Sequence, residues 1–495
     1  MKWGALLDLS QKLLMKENQQ EVIHSVPNVK KSVKQKNKPK KINRQIYQMK
    51  KTRDLERRKK KRLLRLQNKK NRELQRILLL KKMKEAEHSF FSFINDSEFY
   101  SSEKFIKFRR NAVIKIPKIF SLIEAPDEAL KVYKQIYSIA SKREVRGIYF
   151  DHSECEVLEI GASTVMDVFV INLERYLKIK GRKLNFSGKL PPDEKNKIAL
   201  YVSGLLKHLE VTNIKMSKQI NRVYKGIKTL ELISGGKNTP TYRISPNAKS
   251  DDTQTKVVEY FSSCLETQDI GLNEEGMHFF LDLIGEAINN CELHSGEFCQ
   301  WFTLGHYWMQ ESYGECNIVL FNFGQTIYEG LKNSISSKEL KESLELLSKE
   351  HNKKGFFNKG NDWDEETLWT LYSLQDGVSR CRSDDEPDRG TGTVKLIDAF
   401  QQIGDTFDGK KAKMSIISGR ACIYFDGEYK LLEKDFDYDS RQIIAFNKEN
   451  DLFLPPDKRY VKKNKNFFPG TVISMQFYLD KKFLEDIIEG GNYGD

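Results

Sequence analysis

E-A-I-N-N-C-E-L-H-S, Glu286 to Ser295, closes the helical segment M-H-F-F-L-D-L-I-G-E-A-I-N-N, and its reading decides the fold. A helix advances about 100° per residue, so Glu286 and Asn290 lie on nearly one line, with His294 a further turn along. A carboxylate can orient or deprotonate a water, and an amide oxygen is a hard ligand suited to Mg²⁺, which brings phosphates with it. That stripe points to nucleotide chemistry. Phe279, Leu283, Ile284, Ala287 and Ile288 supply an apolar face on the same helix. Polar residues four apart on the other side are also what an ordinary solvated helix presents. The order of the downstream segments separates the two readings.

N-I-V-L-F-N-F-G-Q-T-I, Asn317 to Ile327, reads as a buried strand ending in a turn. D-R-G-T-G-T-V-K-L-I-D-A-F, Asp388 to Phe400, reads as a glycine loop opening a helix. Gly390 and Gly392 let the backbone approach an anion, and the following helix offers free N–H groups and a positive dipole end. F-F-P-G-T-V-I-S-M-Q-F-Y-L, Phe467 to Leu479, is a turn into an alternating strand.

With this order of motifs, residues 255–485 resemble the GHKL ATPase family, whose Bergerat ATP-binding fold is shared by sensor histidine kinases, type II topoisomerases, mismatch-repair ATPases, heat-shock chaperones and anti-sigma-factor kinases. The E-x-x-x-N-x-x-x-H form at Glu286, Asn290 and His294 looks most like the anti-sigma branch. The resemblance implies an α/β domain built as a two-layer sandwich that binds ATP and Mg²⁺. It implies Asn290 on the metal, Glu286 on the attacking water as the catalytic group, and His294 in the ATP site. It also implies Gly390, Thr391, Gly392 and Thr393 at the phosphates, and Gly470 and Thr471 as the family's late G-T element near the nucleotide. One departure stands out. Where the family has D-x-G-x-G, with the Asp accepting the adenine amino group, this chain has Asn322, Gly324 and Thr326. An Asn oxygen accepts the same hydrogen bond, but its NH₂ does not reproduce a carboxylate, so adenine affinity or selectivity is expected to fall.

More than sixty residues, far longer than a normal connection, separate that strand from Gly390. In the family this is the lid over the nucleotide. Here it carries the helical pattern S-K-E-L-K-E-S-L-E-L-L-S-K-E and a segment around Trp363 and Trp369, so an insertion with its own small core is the competing reading.

Upstream, V-R-G-I-Y-F-D-H-S, the amphipathic S-T-V-M-D-V-F-V-I-N-L-E-R-Y-L-K-I-K from Ser163, and R-K-L-N-F-S-G form a strand, helix, strand unit with Gly181 at the helix end. Residues 112–235 resemble the STAS domain of anti-sigma antagonists. The resemblance makes Ser163 or Thr164 a candidate phosphoacceptor, where those domains carry a D-S pair; the simpler role for Ser163 is a helix N-cap. Ser234 to Asp252 has the Gly, Pro and Ser content of a linker, placing one at 236–254, with a tail at 486–495.

The amino-terminal 111 residues read as a basic helical arm. Residues 30–84 hold 25 Lys and Arg against three acidic side chains, a net of +22, whereas the chain from residue 85 onward nets −8. Leu55, Leu63, Leu64, Leu66, Leu74, Ile77 and Leu78 punctuate the charges at helical spacing. Such an arm reads as a contact for nucleic acid or an acidic partner, or as a solvated helix. Seven scattered cysteines without C-x-x-C point to reduced thiols in the cytoplasm, and no apolar run is long enough to cross a membrane. Three functions are compatible with these patterns: an Mg-ATP-dependent switch acting on a regulatory protein or nucleic-acid partner, an anti-sigma-like serine/threonine kinase, or a non-hydrolysing nucleic-acid-binding protein.

Overall fold

The structure is a computed structural model that describes residues 39–87, 90–95, 97–99, 106–108, 110–203, 227–236, 246–294, 298–334, 338–351, 363–376, 378, 392–403, 405–435 and 440–485. The chain divides into two compact units, Met1–Ile77 and Leu78–Asp495. The first is represented by α1 (Pro39–Glu87), which continues into the second. Every side chain from residue 47 to 78 is exposed, the interspersed leucines included. Its helicity therefore rests on Lys, Arg, Leu, Gln and Glu, all strong helix formers.

The second unit starts with α2 (Phe90–Asn95), β1 (Ile106–Phe108) and β2 (Asn111–Lys115), then β3 (Ile119–Phe120) and α3 (Pro126–Ser138). It continues through β4 (Gly147–Asp151), β5 (Val157–Leu158), α4 (Ile160–Ile179), β6 (Asn185–Lys189) and α5 (Glu194–Ser203). β2, β4 and β6 are parallel and β1 joins antiparallel, in the order β1-β2-β4-β6, so the expected strand, helix, strand unit is present. α4 begins three residues before Ser163, with Glu159 at its N-cap, so Ser163 is not the cap.

A second sheet follows. β7 (Ile227–Gly235) leads to α6 (Pro246–Leu265), α7 (Glu274–His294), β8 (Gln300–Met309) and β9 (Gly314–Phe323). Next come α8 (Ile327–Ser334), α9 (Lys338–His351), α10 (Glu365–Tyr372) and α11 (Gly392–Ile403), then β10 (Lys413–Phe425), the hairpin β11 (Leu432–Asp435) and β12 (Ser440–Ile443), and β13 (Val461–Leu479). Five strands pair antiparallel throughout in the order β10-β13-β9-β8-β7. β7 falls on the STAS-like side of the expected boundary at 235 yet is hydrogen bonded to β8, and α6 starts inside the expected linker.

This sheet is buried on both faces. On one side Phe302, Val319, Phe321, Phe323, Phe468 and Val472 share a core with α2, α3 and α4 of the first layer. Phe169 of α4 is the centre of that contact, edge-on to Phe323 at 5.5 Å and stacked on Tyr133 at 5.4 Å. On the other side Ile318, Ile416, Phe477 and Leu479 meet α6 and α11. Leu344, Trp363, Leu368, Trp369 and Tyr372 of the long insertion belong to that same core, and the Trp369 indole donates to Ser348 at 2.9 Å. These parts of the insertion are thus packed structure rather than a free cover, while residues 352–362 and 379–391 lie outside the described residues.

Candidate functional site

The register of the large sheet aligns one row of side chains on its helix-covered face. Trp301 of β8 pairs with Asn322 of β9, Asn322 with Thr471 of β13, and Thr471 with Ser418 of β10. Asn322 is buried, and the Ser418 hydroxyl meets Thr471 Oγ1 at 2.9 Å while accepting from the Ile327 amide at 2.8 Å. Gly324, directly after β9, has φ 156° and Gly470 has φ 142°. A Cβ on Gly470 would stand 2.0 Å from the Asn322 carbonyl oxygen, so only glycine lets β13 approach β9 this closely. Four of the sequence-predicted residues, Asn322, Gly324, Gly470 and Thr471, are therefore brought together at one end of the sheet.

Two helices flank this row. Ile284, Ile288 and Cys291 of α7 pack with Trp301 and Cys299, and the Trp301 indole donates to Glu292 at 2.9 Å. Gly285 of α7 lies against Gln254 of α6. α11 packs along the remaining side of α7 and touches β13 at Ile473 and Met475 through Leu396 and Ala399. At about 100° per residue, Asn290 then falls on the flank of α7 towards α11, and Glu286 beside it at the outer edge. Asn290 is half-buried and Glu286 exposed. α11 starts at Gly392, with Thr393 half-buried; Gly390, Thr391 and the His294 side chain lie outside the described residues.

The candidate phosphoacceptors are elsewhere. Ser163 and Thr164 are fully buried in α4; Ser163 donates to the Ser203 hydroxyl at 3.2 Å and Thr164 to the Ile160 carbonyl at 2.7 Å. Phosphorylation of either requires the layer to open first.

The sequence reading missed a polar patch on the opposite face of the same sheet. His306, Asn317 and Gln476 form a row across β8, β9 and β13, next to Trp308 and Glu315. Burial works to raise the Glu315 carboxyl, but Lys195 at 2.9 Å and the amides of Asn317 and Gln476 hold it below the usual range. Burial pushes the Glu159 carboxyl up, although Ser121, Ser474 and the Leu122 amide all donate to it. The signal was present in G-E-C-N and I-S-M-Q, where polar residues two apart occupy one face of each strand.

No protein-family model, curated protein or solved structure matches the chain.

Proposed function

We propose that the chain is an Mg-ATP-binding module of the GHKL type, working as a nucleotide-dependent switch on a protein or nucleic-acid partner. The observation that carries this reading is the row Trp301, Asn322, Thr471 and Ser418, with Gly324 and Gly470 beside it and α7 and α11 along its flank. The donor set fits the cofactor. Asn290 offers one hard oxygen, and Mg²⁺ in nucleotide sites is held by one or two protein ligands, phosphate oxygens and water rather than by a protein cage. Bound Mg-ATP supplies a transferable γ-phosphate and a metal that neutralises its charge.

The chain's own groups divide the remaining work. The Asn322 side-chain oxygen would accept the adenine amino proton, Gly470 keeps β13 close to β9 beside it, and the amino end of α11 would offer its helix-terminal N–H groups to the phosphates. Glu286, exposed at the outer edge of α7, orients a water. Because β9 and β13 carry Asn322 and Thr471 on one face and Phe323 and Val472 on the other, a shift at the nucleotide row moves the core shared with the first layer. That coupling gives the switch its output, and slow hydrolysis resets it. Burial of Ser163 and Thr164 weighs against a kinase acting on its own first layer.

Calorimetry with and without Mg²⁺ tests the reading. Wild type is expected to bind Mg-ATP in the micromolar range, Asn290→Ala to lose binding, and Glu286→Gln to bind but release little phosphate. Equal binding by wild type and Asn290→Ala means that the site is misassigned.

A further inference from the structure

Between the first layer and the inner face of the large sheet lies a cavity of about 190 Å³. It is separate from the nucleotide row: His306, Asn317 and Gln476 lie on the opposite face of the sheet, towards the other end of β9. Its floor is the polar patch of β8, β9 and β13, and its wall is the segment around Glu159, Asp193 and Asn196.

Two independent features point to an occupant. The first is charge: five lining side chains are carboxylates, Glu124, Glu156, Glu159, Asp193 and Glu315, against one ammonium, Lys195. Lys195 is already held by Glu315, and Glu124 and Glu156 have ion pairs with Lys413 and Lys118. Asp193, which is exposed and caps α5 by accepting from the Asn196 amide, has no cationic partner among the described residues. The second is His306. It is 5 % exposed, and neither ring nitrogen has a hydrogen-bond partner among the described residues. Burial lowers its pKa to about 4 despite the pull of Glu315, so the ring is neutral and offers one lone pair and one N–H, both unmet. A buried polar group left unsatisfied costs stability, and a ligand donor would offset that cost.

We propose that this cavity binds a small organic cation, a ring or short chain bearing an ammonium or amidinium head. The head donates to the His306 lone pair and to the Asp193 side of the cavity, and the apolar body lies against Trp308, over whose ring the Lys195 ammonium already stands at 5.8 Å from the centroid. Ile123, Leu158 and Ile160 supply apolar wall for that body. The volume suits a substituted ring, since a cavity of ~150 Å³ admits benzene. Because the wall belongs to the first layer and the floor to the second, such a ligand bridges the contact through which the two layers share a core.

The test is calorimetry of the full chain with benzamidinium and phenethylammonium, alongside neutral benzamide and anionic benzoate. At least one cation is expected to bind, with benzamide at least tenfold weaker and benzoate silent. Asp193→Asn, which keeps the acceptor for the Asn196 amide and the fold, should weaken the cation several-fold, and His306→Leu should weaken it more than tenfold. Asn290→Ala should leave it unchanged, which separates this site from the nucleotide site. Binding by neither cation, or benzoate binding as well as the cations, overturns the proposal; so does a cation affinity unmoved by both Asp193→Asn and His306→Leu.

Discussion

Gly470 shows how a single residue licenses the site around it. With φ at 142° and the Asn322 carbonyl 2.0 Å from where a Cβ would stand, Gly470→Ala introduces both backbone strain and a clash with backbone. The expected loss is about 2–3 kcal/mol in urea denaturation, with nucleotide binding reduced in parallel; a variant as stable as wild type would show that β13 relaxes freely. Glu366 carries a different kind of cost. Its carboxylate accepts from the Arg420 amide at 2.8 Å, yet burial, helped by Asp364 and Glu98, pushes its pKa up to about 7. Between its ordinary 4.5 and about 7 the folded chain keeps a proton that the unfolded chain releases, so stability falls as pH rises through that window. Glu366→Gln should therefore raise Tm by about 2 °C at pH values above 7 and leave it unchanged near pH 4. A gain at acid pH as well would mean that the side chain costs stability even when neutral, for a reason other than its charge. Asn322, Gly324, Gly470 and Thr471 were legible as a set because each lies in a short local pattern of strand end and turn. His306 and Glu315 were not, because nothing local says which face of a buried strand meets a cavity.

Elements differ in how much of their structure they carry in their own sequence. α1 is visible from its composition alone, since its exposed face needs no partner to explain its charges. With +22 concentrated between residues 30 and 84, the full chain should bind duplex or single-stranded nucleic acid without sequence preference. Filter binding across a salt series should give a log-log slope of about −0.7 to −0.9 per phosphate contacted. Removing residues 1–88 should abolish that binding and leave ATP affinity intact. Undiminished nucleic-acid binding by the shortened chain would move the interface onto the second unit. The long insertion behaved in the opposite way: its helical pattern was readable, but a helix pattern cannot tell a lid from a core. Trp363, Leu368 and Trp369 reach the core beside β10 and β13 only through long-range packing, and their burial makes the described part of the insertion structural.

At the scale of the whole molecule, the two α/β layers are one folding problem. The inner face of the large sheet puts Phe302, Val319, Phe321, Phe323 and Phe468 against Phe90, Tyr133 and Phe169 of the first layer. A fragment starting at residue 227 would leave that aromatic face in water, an exposed patch of the kind that drives aggregation. It is expected to be insoluble, or to bind a hydrophobic dye and melt without cooperativity. A soluble fragment with a sharp melting transition would show that the layers are autonomous domains joined by an ordinary interface. Composition and periodicity by themselves determined a basic helical arm, a strand, helix, strand unit with parallel strands, and the order of helix, strand, helix and strand from Glu286 to Leu479. These rest on local periodicities of charge, apolar side chains and turn residues. Only the tertiary structure decided that β7 joins the second sheet, that Ser163 and Thr164 are sealed inside α4, and that Trp301, Asn322, Thr471 and Ser418 form one row. Strand register and layer stacking depend on contacts between residues hundreds of positions apart, and a period of two fixes alternation along a strand without naming the partner on either face.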